Sequence, residues 1–179
     1  MVSKEAFPLL GQMLSYPSPR LASAAERCAG LLATEHAAAV DCLAPFLSWL
    51  GNTSLERLEE VYTATFDLNP VCCPYAAYHL FGDGPKRSAL MLKLQEAYRE
   101  RAFSTGNELP DHIALLLAFL PRLEGEPESS LRREVLKPAL QKMATSLDAR
   151  NPYHGVISAA LLLVQEKTPP GPQGGAESV

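Results

Sequence analysis

Residues 113–120 read "IALLLAFL", and this run decides the fold class. Every position in it is apolar, so a helix over it has no polar face for solvent and belongs at the centre of a bundle. Elsewhere Leu, Ala, Glu and Arg recur at helical spacing, whereas alternating Val, Ile and Thr runs bounded by turn residues are missing. The sequence therefore predicts an all-α, single-domain helical bundle.

Prolines, glycines and capping residues mark the ends of the other helices. Thr53 followed by Glu56 forms a capping box, which predicts a helix start. Pro110 suits the first turn of the central helix, where a missing N–H costs nothing. The predicted helices cover residues 4–15, 20–33, 37–50, 55–66, 85–103, 110–120, 128–149 with Pro138 as a kink or break, and 153–165, with one or two further turns within 75–84.

Length and composition limit the possible protein classes. The chain has 179 residues, 47% of them hydrophobic, which is enough for one sizeable core. We expect a helical domain over residues 1–167 and a disordered Pro/Gly-rich tail over residues 168–179. The formal net charge of -4, without a Lys/Arg run, argues against a nucleic-acid partner.

The same sequence argues against export and against membrane insertion. The first residues contain no apolar segment of signal-peptide length followed by a small-residue cleavage site. The longest apolar runs, 113–120 and 156–164, have about half of the roughly 20 residues that span a bilayer. We therefore expect a soluble, cytoplasmic protein.

The four cysteines predict neither disulfides nor a zinc site. Without an export signal they read as reduced thiols, and the adjacent pair Cys72 and Cys73 lacks the spacing that lets two sulfurs hold one zinc. We therefore predict no metal and no cofactor. One alternative stays open, a small helical metal- or cofactor-binding protein that uses His79, His112 and the two adjacent cysteines as ligands.

The neighbours Asp111 and His112 are the most conspicuous polar pair. On a helix they project about 100° apart, which disfavours a catalytic dyad, and the chain contains neither G-x-S-x-G nor H-E-x-x-H. An acid–base dyad is therefore disfavoured. In the first turn of a helix the dipole favours Asp111 and disfavours a protonated His112, so this histidine should be neutral. The pair is either a cap for the preceding loop or a recognition corner.

Three stretches together carry a family resemblance: "LERLEEVYTATFDL" (55–68), "YAAYHLFGDGPKRSALMLKLQEAYRERAF" (75–103) and "NELPDHIALLLAFL" (107–120). They resemble the delta-subunit (NarJ) family of respiratory nitrate reductases, within the TorD-like maturation chaperones of molybdoenzymes. The resemblance implies an all-helical, non-enzymatic cytoplasmic chaperone. The Pro- and Gly-bearing connections of such a bundle are compatible with a monomer or with a domain-swapped dimer. Such a chaperone binds the N-terminal segment of a molybdopterin-containing catalytic subunit until the molybdenum cofactor is inserted and, in exported relatives, until a twin-arginine leader is released.

The resemblance also implies a set of partner-binding residues. The residues themselves suggest how such a segment is held, since an amphipathic helix with arginines needs apolar walls and carboxylates at one end. The ordinary alternatives stay open, because aromatic stripes are usually core and acidic runs are usually solvated faces. The predicted partner-binding residues are Glu59, Glu60, Tyr62, Phe66, Asp67, Tyr75, Tyr78, His79, Phe81, Glu108, Pro110, Asp111 and His112. Among them Phe66, Tyr75, Tyr78 and Phe81 are assigned to the walls, and Glu59, Glu60 and Asp67 to the arginines.

Overall fold

The computed structural model describes residues 4–68 and 72–165, and within them it contains helices and no strand. The only ladder-type pairing in those residues is an isolated antiparallel bridge between Tyr75 and His112. The predicted all-α fold is confirmed, whereas the predicted disordered tail lies outside the described residues. The helices are α1 (Ala6–Met13), α2 (Leu21–Leu32), α3 (Ala37–Gly51), α4 (Leu55–Phe66), α5 (Ala76–Phe81), α6 (Pro85–Glu100), α7 (Ile113–Phe119), α8 (Glu126–Ser130), α9 (Lys137–Ser146) and α10 (Tyr153–Gln165).

Helix α7 lies at the centre of the bundle, as its apolar sequence predicts. The side chains of Ile113, Leu116 and Leu117 are completely buried, and the helix packs along α1. The two backbones touch at Gly11, because a Cβ atom added there would lie 2.6 Å from the carbonyl oxygen of Ala114. A residue without a side chain is therefore required where α1 crosses α7.

A second close crossing joins α3 and α10. Helix α10 packs against α3 and α9, and α2 connects this layer to α1. At Gly155 an added Cβ atom would collide with the carbonyl oxygen of Cys42 on α3. Beside the crossing lies an aromatic cluster in which the ring of Tyr153 packs 5.4 Å from Phe46 and 5.1 Å from Phe66, measured between ring centroids. These contacts form the core that supports the rest of the molecule.

Helices α8 and α9 form one continuous helical segment that is widened in the middle. The sequence predicts a helix over 128–149 with a kink or break at Pro138, whereas the observed segment runs from Glu126 to Ser146 and is π-helical over Leu131–Leu136. Proline has no N–H, and its ring collides with the carbonyl group four residues earlier in a regular helix. The wider turn directly before Pro138 accommodates both defects without ending the helix.

The predicted cap of α4 is wrong by one residue, and the predicted start of α7 is wrong by three residues. Ser54, not Thr53, caps α4 and accepts a hydrogen bond from the N–H of Arg57 at 3.4 Å. The Thr53 hydroxyl is already used, since it donates to the carbonyl of Trp49 at the end of α3 at 2.6 Å. Helix α7 begins at Ile113 rather than at Pro110, so the proline belongs to the preceding loop.

Helix α6 lies on the outside of the bundle. The sequence predicts a long amphipathic helix over 85–103, and the observed helix ends at Glu100 and buries only Leu94 and Tyr98 along its length. Leu92, on its outer side, is 66% exposed. Because little of α6 is buried, polar contacts near its ends carry much of its attachment to the body of the protein. No helix in the described residues is long and apolar enough to cross a membrane.

Candidate functional site

A cleft of about 420 Å³ opens where α4 ends and α5 begins. The turn after α1 forms one side of it, and the loop between α6 and α7 forms another. Its walls combine tyrosine rings with carboxylates and one histidine. The lining residues are Ser15, Tyr16, Tyr62, Asp67, Tyr75, Thr105, Glu108, His112, Ala114 and Leu115.

The cleft gathers residues from separate segments that sequence reasoning assigned to partner binding. They come from α4, from the residue before α5 and from the segment that precedes α7. The fold thus brings these three blocks to one surface depression, although they are far apart along the chain. The predicted partner-binding residues that line the cleft are Tyr62, Asp67, Tyr75, Glu108 and His112.

His112 lines the cleft and is nearly buried. Its Nδ1 atom caps α7 by accepting from the N–H of Ala114 at 3.2 Å, and the residue is 4% exposed. Burial lowers the pKa of this histidine, outweighing the nearby carboxylates of Glu108, Asp111 and Asp67 that raise it. A neutral imidazole whose Nδ1 accepts carries its proton on Nε2. Nε2 has no hydrogen-bond partner among the described residues, so it is available to a ligand.

The prediction of a neutral His112 agrees with its lowered pKa, but the cause of the lowering differs from the predicted one. The sequence argument invoked the dipole of a helix that contains the residue. The observed cause is burial of the ring. The dipole argument does not apply, since His112 precedes the first turn of α7 rather than lying within it.

Within residues 4–68 and 72–165, the acidic groups of the cleft have no ion-pair partner. Asp67 follows the last turn of α4, and neither it nor Glu108 forms a salt bridge to any described residue. Glu108 accepts hydrogen bonds from the hydroxyl of Tyr75 at 3.2 Å and from the N–H of Leu109 at 3.1 Å. Partial burial and repulsion by Glu108 raise the pKa of Asp67. The cleft consequently holds uncompensated negative charge.

Tyrosine rings form the apolar part of the cleft. Tyr62 is buried, and its hydroxyl donates to the carbonyl of Leu14 at 3.4 Å. The ring of Tyr16 packs edge to face against it, 5.5 Å away, and is 55% exposed. Tyr75 packs against the His112 ring at 5.6 Å, and burial together with Glu108 raises its pKa to about 12. Sequence reasoning missed Tyr16, because this residue lies outside the three stretches that carry the family resemblance.

Asp111 lies behind the cleft rather than in it. Its side chain is completely buried, and one oxygen accepts from Nε of Arg87 at 3.4 Å. Its backbone carbonyl accepts from the N–H of Ala76 at 2.8 Å, which ties α5 to the start of α7. Asp111 does not line the cleft, and its assignment to partner binding stays a prediction. Asp111 supports the cleft from behind.

Arg87 completes this support. Its guanidinium also contacts Asp83 at 2.7 Å, and its central carbon lies 5.8 Å from the ring centre of Tyr75 and 5.6 Å from that of Tyr78. The side chain is only 17% exposed. Arg87 is therefore enclosed by aromatic rings and carboxylates, on α6 and outside the cleft.

Other predicted partner-binding residues lie in the core or on the outer face of α4. Phe66 is 3% exposed, packs on Tyr153 and does not line the cleft, so its assignment to a groove wall stays a prediction. Pro110 is buried, and its carbonyl accepts from the Tyr98 hydroxyl at 2.8 Å. Glu59 and Glu60 do not line the cleft, and Glu60 pairs with Arg57 at 2.8 Å.

The remaining predicted residues lie on α5, away from the cleft lining. Tyr78 is 43% exposed and Phe81 is 45% exposed, so neither is core. His79 is half-buried, and its Nε2 lies 2.6 Å from the carbonyl oxygen of Cys73. Tyr75 precedes α5 as its N-cap.

The cysteines are free thiols, as predicted. Cys72 is buried with its sulfur 3.5 Å from the carbonyl oxygen of Met143, and burial raises its pKa to about 12. In residues 4–68 and 72–165, no group of three or more His, Cys, Asp or Glu side chains is arranged to hold a metal ion. The ligand set of the alternative interpretation, with His79, His112 and the adjacent cysteines, is not brought together.

Similarity to known proteins agrees with this fold and with the three stretches that carry the family resemblance. Residues 30–153 match the model of a family described as nitrate reductase delta subunit. The chain belongs to the nitrate reductase delta-subunit family. The family inferred from the sequence is therefore confirmed, and its model covers every stretch on which that inference depended.

Two individual proteins are similar to this member of the delta-subunit family. One is described as a probable nitrate reductase molybdenum cofactor assembly chaperone NarJ, from Bacillus subtilis (strain 168), and is 28% identical over 122 residues. That match covers 68% of this chain but 66% of the relative, slightly less than two thirds of its length. The other is a crystal structure described as a redox enzyme maturation protein from Archaeoglobus fulgidus, with a TM-score of 0.62 and 22% identity. It covers 91% of this chain and 94% of that chain and shows the same fold.

Proposed function

We propose that this protein is a non-enzymatic chaperone of molybdoenzyme maturation. It binds the N-terminal segment of a molybdopterin-containing oxidoreductase catalytic subunit, nitrate reductase or a relative, in the cytoplasm and releases it after the molybdenum cofactor has been inserted. Membership of the delta-subunit family and the similarity to a protein described as an assembly chaperone support this function. The structural observation that carries it is the tyrosine-walled cleft with uncompensated negative charge.

Asp67 and Glu108 give this cleft its preference for cationic segments. A carboxylate in a partly buried site without a cation is held at an electrostatic cost, which a bound Lys or Arg side chain removes. The raised pKa of Asp67 reports this cost. A peptide that places a cation beside Asp67 and Glu108 is therefore bound more tightly than a neutral peptide of the same shape.

His112 supplies a second point of attachment for the same segment. Its Nε2–H has no acceptor among the described residues, whereas an extended or frayed peptide carries backbone carbonyls without partners. A donor fixed by the Ala114 hydrogen bond orients such a carbonyl without a change of ring position. A ligand that offers a cationic side chain to the carboxylates and a backbone carbonyl to His112 is a short peptide segment rather than a small molecule.

The test is capture of the client from the native host during anaerobic respiration. The tagged wild type and the variant Asp67→Asn/Glu108→Gln are purified, and the bound proteins are identified by mass spectrometry and assayed for molybdenum. We expect the wild type to retain an immature, molybdenum-free catalytic subunit and the variant to lose about tenfold or more of it, since hydrogen bonds to charged groups contribute roughly 1.5–3 kcal/mol each.

A matched control is Glu59→Gln/Glu60→Gln, which removes two carboxylates from α4 outside the cleft and should leave capture unchanged. Asp111 is unsuitable for this test, because replacing it disturbs the fold behind the cleft. Equal capture by the Asp67→Asn/Glu108→Gln variant would show that the cleft is not the binding site. Co-purification of only mature, cofactor-loaded enzyme would identify a permanent structural subunit instead of a chaperone.

A further inference from the structure

We propose that Tyr16 is a specificity-determining residue of the cleft, which makes the cleft bind an arginine side chain in preference to lysine. The proposal rests on the proposed function and adds the chemistry of the side chain that the cleft accepts. Tyr16 lies outside the segments that carry the family resemblance. Its role follows from its position and from a second site in the same molecule.

Tyr16 presents an aromatic ring at the mouth of the cleft in a defined orientation. Its ring packs edge to face on Tyr62, which is buried and hydrogen-bonded to Leu14. The turn that carries Tyr16 contains Pro17 and Pro19, which fix two backbone angles. The ring nevertheless leaves 55% of the residue exposed. A fixed ring with a free face is suited to stacking on a planar group.

The charge of the cleft selects a cation for that face. Asp67 and Glu108 line the same depression as Tyr16 without an ion-pair partner among the described residues. A guanidinium is planar, carries five N–H donors that match carboxylates, and leaves both faces free for aromatic stacking. An ammonium is a compact, strongly hydrated charge, and it gives up more hydration when it enters such a site. The combination of ring and carboxylates therefore favours arginine.

Arg87 shows how this protein holds a guanidinium. Its side chain lies beside the rings of Tyr75 and Tyr78 and pairs with the carboxylates of Asp83 and Asp111. Tyr75 is shared between the two sites, because its ring contacts Arg87 and also lines the cleft. The cleft thus presents the same kinds of groups around Tyr75: a further tyrosine, Tyr16, and two carboxylates.

The experiment uses three labelled synthetic peptides that differ at one position. Each is a 15-residue amphipathic helix of Leu, Ala and Gln with a single central arginine, lysine or citrulline, the last being a planar but uncharged analogue of arginine. Their affinities for the full chain are measured by fluorescence anisotropy. The proteins are the wild type, Tyr16→Phe, which keeps an aromatic face, and Tyr16→Leu, which does not, with circular dichroism confirming that each is folded.

We expect the wild type to bind the arginine peptide about fivefold more tightly than the lysine peptide, the range typical of a cation–aromatic contact. Tyr16→Leu should lose that preference, and Tyr16→Phe should keep it. The citrulline peptide should bind weakly to all three proteins, since it lacks the charge that the carboxylates require. Leu92→Ala is the control, a replacement of an exposed apolar side chain on α6 outside the cleft, and should preserve the preference.

Equal affinity of the wild type for arginine and lysine would overturn the proposal, as would the absence of arginine-peptide binding or an unchanged ratio in Tyr16→Leu. These results are distinguishable from failure of the proposed function. If the host experiment still captures an immature catalytic subunit while Tyr16→Leu keeps its arginine preference, the chaperone function stands and the role of Tyr16 does not.

Discussion

The crossing of α3 and α10 and the corner where α6 meets the start of α7 are built in opposite ways. At the crossing, the backbone at Gly155 lies directly against α3, and apolar rings fill the adjacent space. At the corner, helix α6 buries few side chains and is attached through the ion pair of Arg87 with Asp111 and the hydrogen bond from Tyr98 to Pro110. The crossing distributes its stabilisation over many contacts, whereas the corner depends on a few polar groups.

This difference is important for the cleft, because His112 at the corner forms part of the cleft lining. The bridge between Tyr75 and His112 joins the residues that line the cleft to those that hold Asp111 in place. A region attached by a few polar contacts opens at a lower free energy than a region packed through many apolar contacts. The rigid crossing supplies the fixed base. Substitutions at the two places should therefore differ in size, in sign and in how far their effects spread.

The largest effect is expected at the corner, from Arg87→Ala. Removing this guanidinium leaves the completely buried Asp111 carboxylate without its cation, which typically costs about 3–5 kcal/mol of the free energy of unfolding. Urea denaturation measures the loss, and hydrogen exchange at the N–H groups of Ala76 and Ile113 reports whether the corner opens first.

A second replacement tests the cause of that loss. Arg87→Ala/Asp111→Asn leaves no buried charge, so it should recover part of the stability. Arg99→Ala removes an exposed arginine of α6 that pairs with Glu96 on the surface, and it should leave the free energy of unfolding nearly unchanged. A small effect of Arg87→Ala, or no recovery in the double variant, would contradict the assignment of the ion pair as the main tie.

At the crossing, Gly155→Ala should cost about 2–3 kcal/mol of the free energy of unfolding. The added methyl group collides with the carbonyl of Cys42, and backbone atoms cannot rotate away as a flexible side chain would. Gly30→Ala is the matched control, since the space around Gly30 on α2 is open and alanine favours a helix by up to about 1 kcal/mol. Urea denaturation that gives equal stabilities for the two variants would show that α10 shifts to accommodate the methyl group.

The same chemical change should act with opposite signs in the two regions. The Tyr153 hydroxyl is buried in the aromatic cluster without a hydrogen-bond partner among the described residues, so Tyr153→Phe should raise the free energy of unfolding by about 1 kcal/mol. Tyr98→Phe removes the bond to the Pro110 carbonyl and should lower it by about 1 kcal/mol. Thermal melts of both variants provide the measurement, and a shift in the same direction for both would refute this account of the hydroxyls.

The pH dependence should also originate at the corner. Burial lowers the pKa of His112 in the folded state, so near and below its ordinary pKa of about 6.5 the unfolded chain binds more protons than the folded one. His112 therefore makes stability rise with pH up to about 6.5, with no further contribution above that value. His112→Asn, which keeps an acceptor for the Ala114 N–H, should flatten the rise between pH 5.5 and 7.5 in urea titrations. An unchanged slope would place the titration elsewhere.

The parts of the fold that depend on local apolar pattern could be predicted from the sequence. The central position of "IALLLAFL" follows from the lack of a polar face, and Gly51 marks the end of α3 as expected. The cap of α4 and the start of α7 could not be predicted, because they depend on which nearby polar groups already have hydrogen-bond partners. The Thr53 hydroxyl serves α3, and His112 rather than Pro110 caps α7.

The sequence predicted the cleft residues that lie in the segments resembling the family. It did not predict the features that depend on contacts between residues distant along the chain. Tyr62, Asp67, Tyr75, Glu108 and His112 lie together because their segments meet at the cleft. The burial of Asp111 depends on Arg87, which is distant in sequence, and the position of Tyr16 depends on how the turn after α1 meets α4. No periodicity or spacing encodes either arrangement, so only the packed structure reveals them.

The smallest expected effect on stability is at the start of α4, where Thr53 and Ser54 are adjacent candidates for the capping residue. Ser54→Ala removes the side chain that accepts from the N–H of Arg57 and should cost about 1 kcal/mol, the usual value for losing a helix cap. Thr53→Ser keeps the hydroxyl that donates to Trp49 and should change stability little. If Thr53→Ser proves the more damaging in urea denaturation, the threonine methyl group contributes more than the cap. Since both residues lie between α3 and α4, the result shows whether α4, which carries Tyr62 and Asp67, is positioned by its own cap or by its attachment to the rigid crossing.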